Sequence, residues 1–236
     1  GGIGVYTREL ISQLAEIDRE NRYFIFVNTP AKQNIGVNAT NFSMIESSVT
    51  RRHYFTKDIW HQFFLPFFLK NNHIDIYFNP RYILPYFSGS KMVVTIHDMI
   101  AFLYPEIWPG VSGFRIRQYI RISSKIADRI LTVSNCAKND IMRILNIPEK
   151  KIKVIPCGIN KELYNPNYDK SLQSGRVRRH CGRTDLKGCT GPMGSRKNHD
   201  RLIQAYSNLP NTIKEEYQLV ITGEKKGCYQ DLLNEI

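Results

Sequence analysis

The chain has 236 residues, of which 42% are hydrophobic and 23% are charged. These fractions are ordinary for a globular protein and exclude a disordered, a collagen-like or a transmembrane class. The formal net charge of +12 favours anionic partners such as nucleic acid, acidic membrane surfaces or phosphorylated substrates, although part of it comes from one arginine-rich stretch near residues 176–201.

Neither a membrane span nor a disulfide framework is predicted. No stretch approaches the roughly 20 apolar residues that cross a bilayer, and no secretory signal opens the sequence. Because the chain begins at Gly1, inside a motif, we expect further residues upstream. The five cysteines are odd in number and widely spread, and Cys181 and Cys189 stand too far apart for a metal knuckle. We therefore expect free thiols in a reducing, cytoplasmic compartment.

Helices and β-branched strands alternate along the chain. Apolar residues spaced for one face of a helix follow Gly4, and further helices are predicted at 58–70, 113–127, 137–145 and around 202–206. Strands are predicted at 23–27, 43–45, 73–78, 92–96, 129–133, 151–155 and 218–222. This alternation predicts an α/β fold, with a parallel sheet covered on both faces.

Polar or special residues follow three of the predicted strands. They are His97-Asp98, Ser134-Asn135 and Cys157-Gly158. Ligands of open α/β sheets bind outside the carboxyl ends of the strands, so this edge is the expected binding site.

The apolar pattern is lost within residues 171–195, where arginine, glycine and cysteine dominate. One explanation is a basic insertion for RNA or lipid head groups. We favour a local reading-frame error that replaced an apolar strand. On that view the strand and glycine turn before Arg196 are missing.

Five short motifs, in order and spacing, resemble family 4 of the retaining glycosyltransferases. They are residues 1–4, 94–98, 127–134, 151–159 and 196–198, and the resemblance covers nearly the whole chain except about 171–195. It implies the GT-B fold, with two Rossmann-like domains facing each other across a cleft. Residues 1–160 would form the acceptor-side domain without its first strand. Residues 161–236 would form an incomplete nucleotide-sugar domain that lacks the family's paired glutamates.

Two motifs of the first domain supply candidate site residues. Gly1, Gly2 and Gly4 open a helix, where free N–H groups and the helix dipole attract a donor phosphate or the acceptor. The alternative is a tight turn or a tag remnant. The resemblance assigns His97 to positioning the transferred sugar without covalent catalysis, with Asp98 orienting its ring. The alternative is a capped structural histidine.

The remaining site residues are Ser134, Arg196 and Lys197. Ser134 lies at the expected ligand edge as a substrate-binding residue. Arg196 and Lys197 stand where the family binds the donor diphosphate, whose growing negative charge fixed cations would stabilise. The alternative is a solvated basic helix start. No Asp-x-Asp pair or His/Cys cluster has metal-ligand spacing, so no metal and no further cofactor is expected.

A basic and aromatic segment, residues 51–68, has two interpretations of equal weight. It lies at a membrane interface and reaches a lipid-linked acceptor, or it is a core helix with a basic lead-in. The sequence does not decide between peripheral membrane contact and the core.

The predicted function is retaining transfer of a hexose from a nucleotide-diphosphate sugar to a glycan or lipid-linked acceptor, with a weak leaning towards mannose. One alternative is a basic nucleic-acid-binding module, which the lack of a recognised motif disfavours, so no nucleic-acid partner is expected. Another is an inactive remnant. Because half of the donor site is absent, we expect this chain alone to be inactive.

Overall fold

The computed structural model describes residues 2–28, 37, 39–47, 59–159, 186–190 and 198–222. The chain divides into two compact units, Gly1–Gly158 and Ile159–Ile236. The predicted domain boundary after residue 160 lies beside this division. No helix in the described ranges is long and apolar enough to cross a membrane.

The first unit begins with a helix and a pair of strands. Helix α1 spans Gly2–Ile17, and strands β1 (Tyr23–Asn28) and β2 (Phe42–Ser47) pair in parallel. The turn between α1 and β1 is held by Asp18, whose Oδ2 accepts a hydrogen bond of 2.6 Å from the Tyr23 hydroxyl. That bond raises the pKa of Tyr23 to about 12.

The aromatic helix predicted at 58–70 is present and touches both sheets of the first unit. It starts with a π-helical turn, Trp60–Phe64, and continues as α2, Leu65–Asn71. The ring of Phe26 in β1 meets Trp60 and Phe68 edge-on, with centroids 5.6 and 4.9 Å apart. Part of the aromatic segment is therefore core, as one of the two interpretations predicted.

A four-stranded parallel sheet forms the centre of the first unit, and its strands lie side by side in chain order. Helices α3 (Ile100–Leu103), α4 (Gly110–Ile126) and α5 (Asn135–Leu145) alternate with its later strands. The strands are β3 (Ile76–Asn79), β4 (Lys91–Thr95), β5 (Arg129–Thr132) and β6 (Ile152–Val154), and every pair is parallel. The strands predicted in these four places are confirmed.

Both faces of this sheet are covered. Val94, Thr95 and Ile96 follow one another and are all fully buried, although successive side chains point to opposite faces. Ile120 from α4 and Ile141 from α5 belong to the same core. The run of consecutive apolar residues in the sequence thus reflects a sheet between two layers of helix.

In the second unit, strands β7 (Leu186–Thr190) and β8 (Gln218–Thr222) pair in parallel, and helices α6 (His199–Ser207) and α7 (Asn211–Glu216) lie between them in the chain. The expectation that no strand remains within 171–195 is wrong for the five residues of β7. The strongly apolar β8 supplies a complete partner, and pairing of this kind overrides the weak strand preference of a glycine-containing segment. The rest of 171–195 lies outside the described residues.

Candidate functional site

His97 stands at the carboxyl end of β4, and its ring is fixed by the neighbouring strand. Its Nε2 atom lies 2.9 Å from the carbonyl oxygen of Pro80, the residue directly after β3. A carbonyl only accepts, so Nε2 carries the hydrogen and donates it. In the neutral ring, Nδ1 is then the hydrogen-bond acceptor.

A second contact to His97 comes from the first helix. The ring of Tyr6 in α1 meets the imidazole edge-on, with centroids 4.9 Å apart and an angle of 89° between planes. Both side chains are half-buried. The helix that starts with the glycine motif therefore packs its Tyr6 beside the histidine, which sequence reasoning did not foresee.

The two described glycines of the opening motif lie within the first turn of α1, so the tight-turn alternative does not apply to Gly2 and Gly4. Neither has a positive φ. A Cβ atom built on either would meet no other atom within 4 Å. No packing in the described structure requires glycine at these positions, and the space beside the helix start is open. Gly1 lies outside the described residues.

Asp98 does not orient the histidine ring, which corrects that part of the prediction. Its Oδ1 accepts a hydrogen bond of 3.1 Å from the backbone N–H of Ile100, at the start of α3. Within the described part of the chain it makes no bond to His97. A short side chain followed two residues later by a free amide forms this local turn readily, which leaves the carboxylate committed to the backbone. Its predicted contact with substrate stays a prediction.

Ser134 caps a helix at the same edge of the sheet. Its backbone is extended, and Oγ accepts a hydrogen bond of 3.1 Å from the N–H of Ala137 in the first turn of α5. β5 pairs directly with β4, so Ser134 and His97 follow adjacent strands. The structure gives Ser134 a capping role, and its predicted contact with substrate stays a prediction.

A polar cluster below this edge was missed by the sequence analysis. The side-chain amide of Asn79 donates to the Tyr77 hydroxyl at 3.1 Å, and that hydroxyl lies 3.1 Å from Nε2 of His61. Enclosure of the Tyr77 hydroxyl raises its pKa. Asn79 Oδ1 also accepts from the N–H of Arg81, so the cluster fixes the turn that carries Pro80. The polar residue at the end of β3 was the available signal, by the same rule that singled out His97.

The predicted phosphate-binding pair, Arg196 and Lys197, lies outside the described residues and stays a prediction. Asn198, which follows, adopts a left-handed conformation with φ of 56° directly before α6. In the described ranges, no group of three or more His, Cys, Asp or Glu side chains is arranged to hold a metal ion. Cys136 and Cys157 are exposed free thiols.

The profile of Glycosyltransferase Family 4 matches residues 1–163, more than half of the chain. The chain belongs to this glycosyltransferase family. The family assignment made from the five motifs is confirmed, and the matched region contains His97, the opening glycines and Ser134.

Two curated relatives of this family 4 chain are named as mannosyltransferases. O-antigen chain mannosyltransferase B of Escherichia coli is 28% identical over 158 residues, which cover 67% of this chain and 41% of that protein. O-antigen chain mannosyltransferase RfbU of Salmonella typhimurium is 32% identical over 71 residues, covering 30% of this chain and 20% of that protein. The chain therefore spans less than half the length of either relative.

Two solved structures share the fold of this chain. Anabaena Alr3699/HepE, in complex with UDP and glucose, matches with a TM-score of 0.62 at 14% identity, covering 100% of this chain and 61% of that one. A glycosyltransferase of Rickettsia africae matches with a TM-score of 0.52 at 17% identity, covering 93% and 72%. The predicted α/β fold with parallel sheets, of the GT-B type, is confirmed.

Proposed function

We propose that this family 4 chain serves the transfer of a hexose, with mannose as the first candidate, from a nucleotide-diphosphate sugar to a glycan or lipid-linked acceptor with retention of configuration. The observation that carries the proposal is His97, held at the carboxyl edge of the sheet by Pro80 and Tyr6. The names of the two curated relatives support mannose, and the UDP and glucose in the HepE structure support a nucleotide-sugar donor.

The geometry of His97 suits recognition of a hydroxyl group. With Nε2 committed to the Pro80 carbonyl, Nδ1 of the neutral ring accepts a hydrogen bond from a sugar hydroxyl. A ring held from two sides loses little freedom when the sugar binds, so this contact positions the sugar at small entropic cost. The histidine acts by placement and forms no covalent bond to the sugar.

In this proposal, Arg196 and Lys197 bind the donor diphosphate. When the bond between the sugar carbon and the phosphate oxygen breaks, negative charge grows on the departing diphosphate, and two cations lower the energy of that state. The acceptor oxygen attacks from the same face, and its proton leaves with the diphosphate. No metal is required in this scheme.

Substitution of His97 tests the proposal in the protein that contains this chain. Turnover is measured as nucleoside diphosphate release, with several nucleotide-sugars tried as donor. We expect His97→Ala to lower this turnover about a hundredfold, while the thermal midpoint of unfolding stays close to that of the wild type. His73→Asn is the matched control, because His73 is exposed, has a φ of 50° that asparagine tolerates, and precedes β3 at the opposite end of the sheet. Near-normal turnover of His97→Ala would refute the proposed site.

Tyr6 provides a second test, as a positioning residue. Tyr6→Phe keeps the ring that contacts His97, whereas Tyr6→Ala removes it. We expect the alanine variant to lose turnover and the phenylalanine variant to restore most of it. If Tyr6→Phe is as impaired as Tyr6→Ala, the ring contact is not what matters at this position.

A further inference from the structure

A patch of exposed aromatic rings, here called the aromatic patch, lies on the first unit. It consists of Phe63, Phe64 and Phe67 on the helix at 60–71 and Phe87 on the following loop. Their exposed fractions are 64, 62, 67 and 81%. Single exposed apolar residues are common on protein surfaces, but four phenylalanines on two connected elements need a partner.

The helix and loop that carry the patch are joined by hydrogen bonds. Gln62 Oε1 accepts from the N–H of Tyr86 at 2.8 Å, and its Nε2 donates to the carbonyl of Leu84 at 3.3 Å. A groove of about 380 Å³ lies between the two elements, lined by Phe67, Phe87, Lys70 and their neighbours. The rings therefore lie on a surface whose two elements are fixed to each other, beside an apolar groove and the cationic side chain of Lys70.

The charges around the patch are complementary to an anionic surface. Among the described residues that line the groove, Lys70 is the one charged side chain, and Lys91 nearby is paired with Asp128 at 3.1 Å. Lys70 is exposed and has no ion-pair partner within the described part of the chain. Lipid head groups supply phosphates and the layer beneath them accepts aromatic rings, so both features of the patch match one partner.

We propose that the aromatic patch docks the protein on an anionic phospholipid bilayer, with the phenylalanines in the interfacial layer and Lys70 at a lipid phosphate. The loop of the patch begins at Pro80, whose carbonyl holds His97. Lys70 and Phe87 themselves lie where β3 and β4 begin, at the opposite end of the sheet from His97, and the loop from Pro80 to Phe87 connects the two ends. Delivery of a lipid-linked acceptor to His97 rests on the proposed transferase function, whereas the docking itself does not.

Co-sedimentation with vesicles tests the docking without any nucleotide-sugar, so its failure leaves the transferase proposal standing. The protein is mixed with vesicles of phosphatidylcholine alone or with added phosphatidylglycerol, at low and high salt. We expect it to sediment with the anionic vesicles, and less so at high salt. The double variant Phe67→Gln, Phe87→Gln should partition at least about tenfold more weakly, because two large apolar side chains no longer leave water.

Two further variants sharpen the result. Phe114→Gln is the matched control, since Phe114 is 56% exposed but lies on α4, which carries none of the patch, and it should bind as wild type does. Lys70→Glu should weaken binding chiefly at low salt. The proposal is overturned if wild-type protein ignores anionic vesicles, or if the double variant binds them normally. If the wild-type protein does not bind vesicles but forms a dimer, and the double variant is monomeric, the patch is an interface with a second copy of the chain instead.

Discussion

Ser123 anchors the loop that carries both Pro80 and Phe87 of the aromatic patch. Its Oγ accepts a hydrogen bond of 3.0 Å from the N–H of Leu84, 39 residues earlier in the chain. Ser123 is 1% exposed and Leu84 is fully buried, so water has no access to this N–H when the hydroxyl is removed. The substitution Ser123→Ala therefore leaves a buried donor without its acceptor.

The expected cost follows from that orphaned group. An unsatisfied buried N–H costs about 1–3 kcal/mol, and the better helix preference of alanine returns at most about 0.5 kcal/mol. The adjacent Ser124 is the matched control. It is also fully buried in α4, but its hydroxyl donates to the carbonyl of Arg121, one turn earlier in the same helix. Removing that bond leaves no donor behind, so Ser124→Ala should be near neutral.

The free energy of unfolding of the two alanine variants, measured in urea and by heating, tests this expectation. The net cost for Ser123→Ala is about 0.5–3 kcal/mol, which for a chain of this size is a fall of roughly 1–12 °C in the midpoint, and Ser124→Ala should stay close to wild type. Hydrogen exchange at the Leu84 amide should also become faster in Ser123→Ala alone. If the two variants have the same free energy of unfolding, the bond from Leu84 to Ser123 does not anchor the loop.

Substitutions at three further positions should change stability in defined directions. In Gly113→Ala the new Cβ would lie 1.7 Å from the carbonyl oxygen of Trp108, so we expect a loss of several kcal/mol in urea unfolding. The N–H of Met92 holds the pKa of Asp128 below its usual range, so this carboxylate stabilises the fold above about pH 4 and loses that effect as pH falls through its folded-state pKa. Asp128→Asn should thus be least stable relative to wild type at neutral pH and approach it in acid. Asn146 ends α5 with a φ of 54°, so Asn146→Gly should keep or slightly raise the thermal midpoint. Asn146→Ala should lower the free energy of unfolding by about 1 kcal/mol.

The sheet at the centre of the first unit could be predicted because its signals are local. Val94 and Ile130 belong to short β-branched runs, and they occupy opposed, fully buried positions in neighbouring strands. The placement of His97 after such a strand was equally visible. The cap made by Ser134 is local too, since it involves an amide three residues away, and the sequence analysis overlooked it.

The contacts that fix His97 could not be predicted, because they join distant parts of the chain. Pro80 approaches the ring only when β3 pairs beside β4, and Tyr6 arrives from a helix 91 residues earlier. The predicted role of Asp98 was wrong because a local amide, that of Ile100, competes with the ring and is nearer along the chain. The predicted inactivity of the chain alone and the absence of a metal both stay predictions.

The bond between His97 and Pro80 restricts what chemistry the site accepts from outside. While the ring is neutral and Nε2 donates to the Pro80 carbonyl, Nδ1 can only accept. A group that forms a hydrogen bond with Nδ1 must therefore be a donor. At the sugar contact proposed for His97, a deoxyfluoro or O-methyl sugar would carry an acceptor in place of the donor hydrogen, and two lone pairs would meet face to face. Such analogues would therefore discriminate more sharply at this position than simple deoxy sugars, which only leave the nitrogen unpaired. Inhibitors aimed at the ring should carry a donor group, such as an amine or an amide N–H.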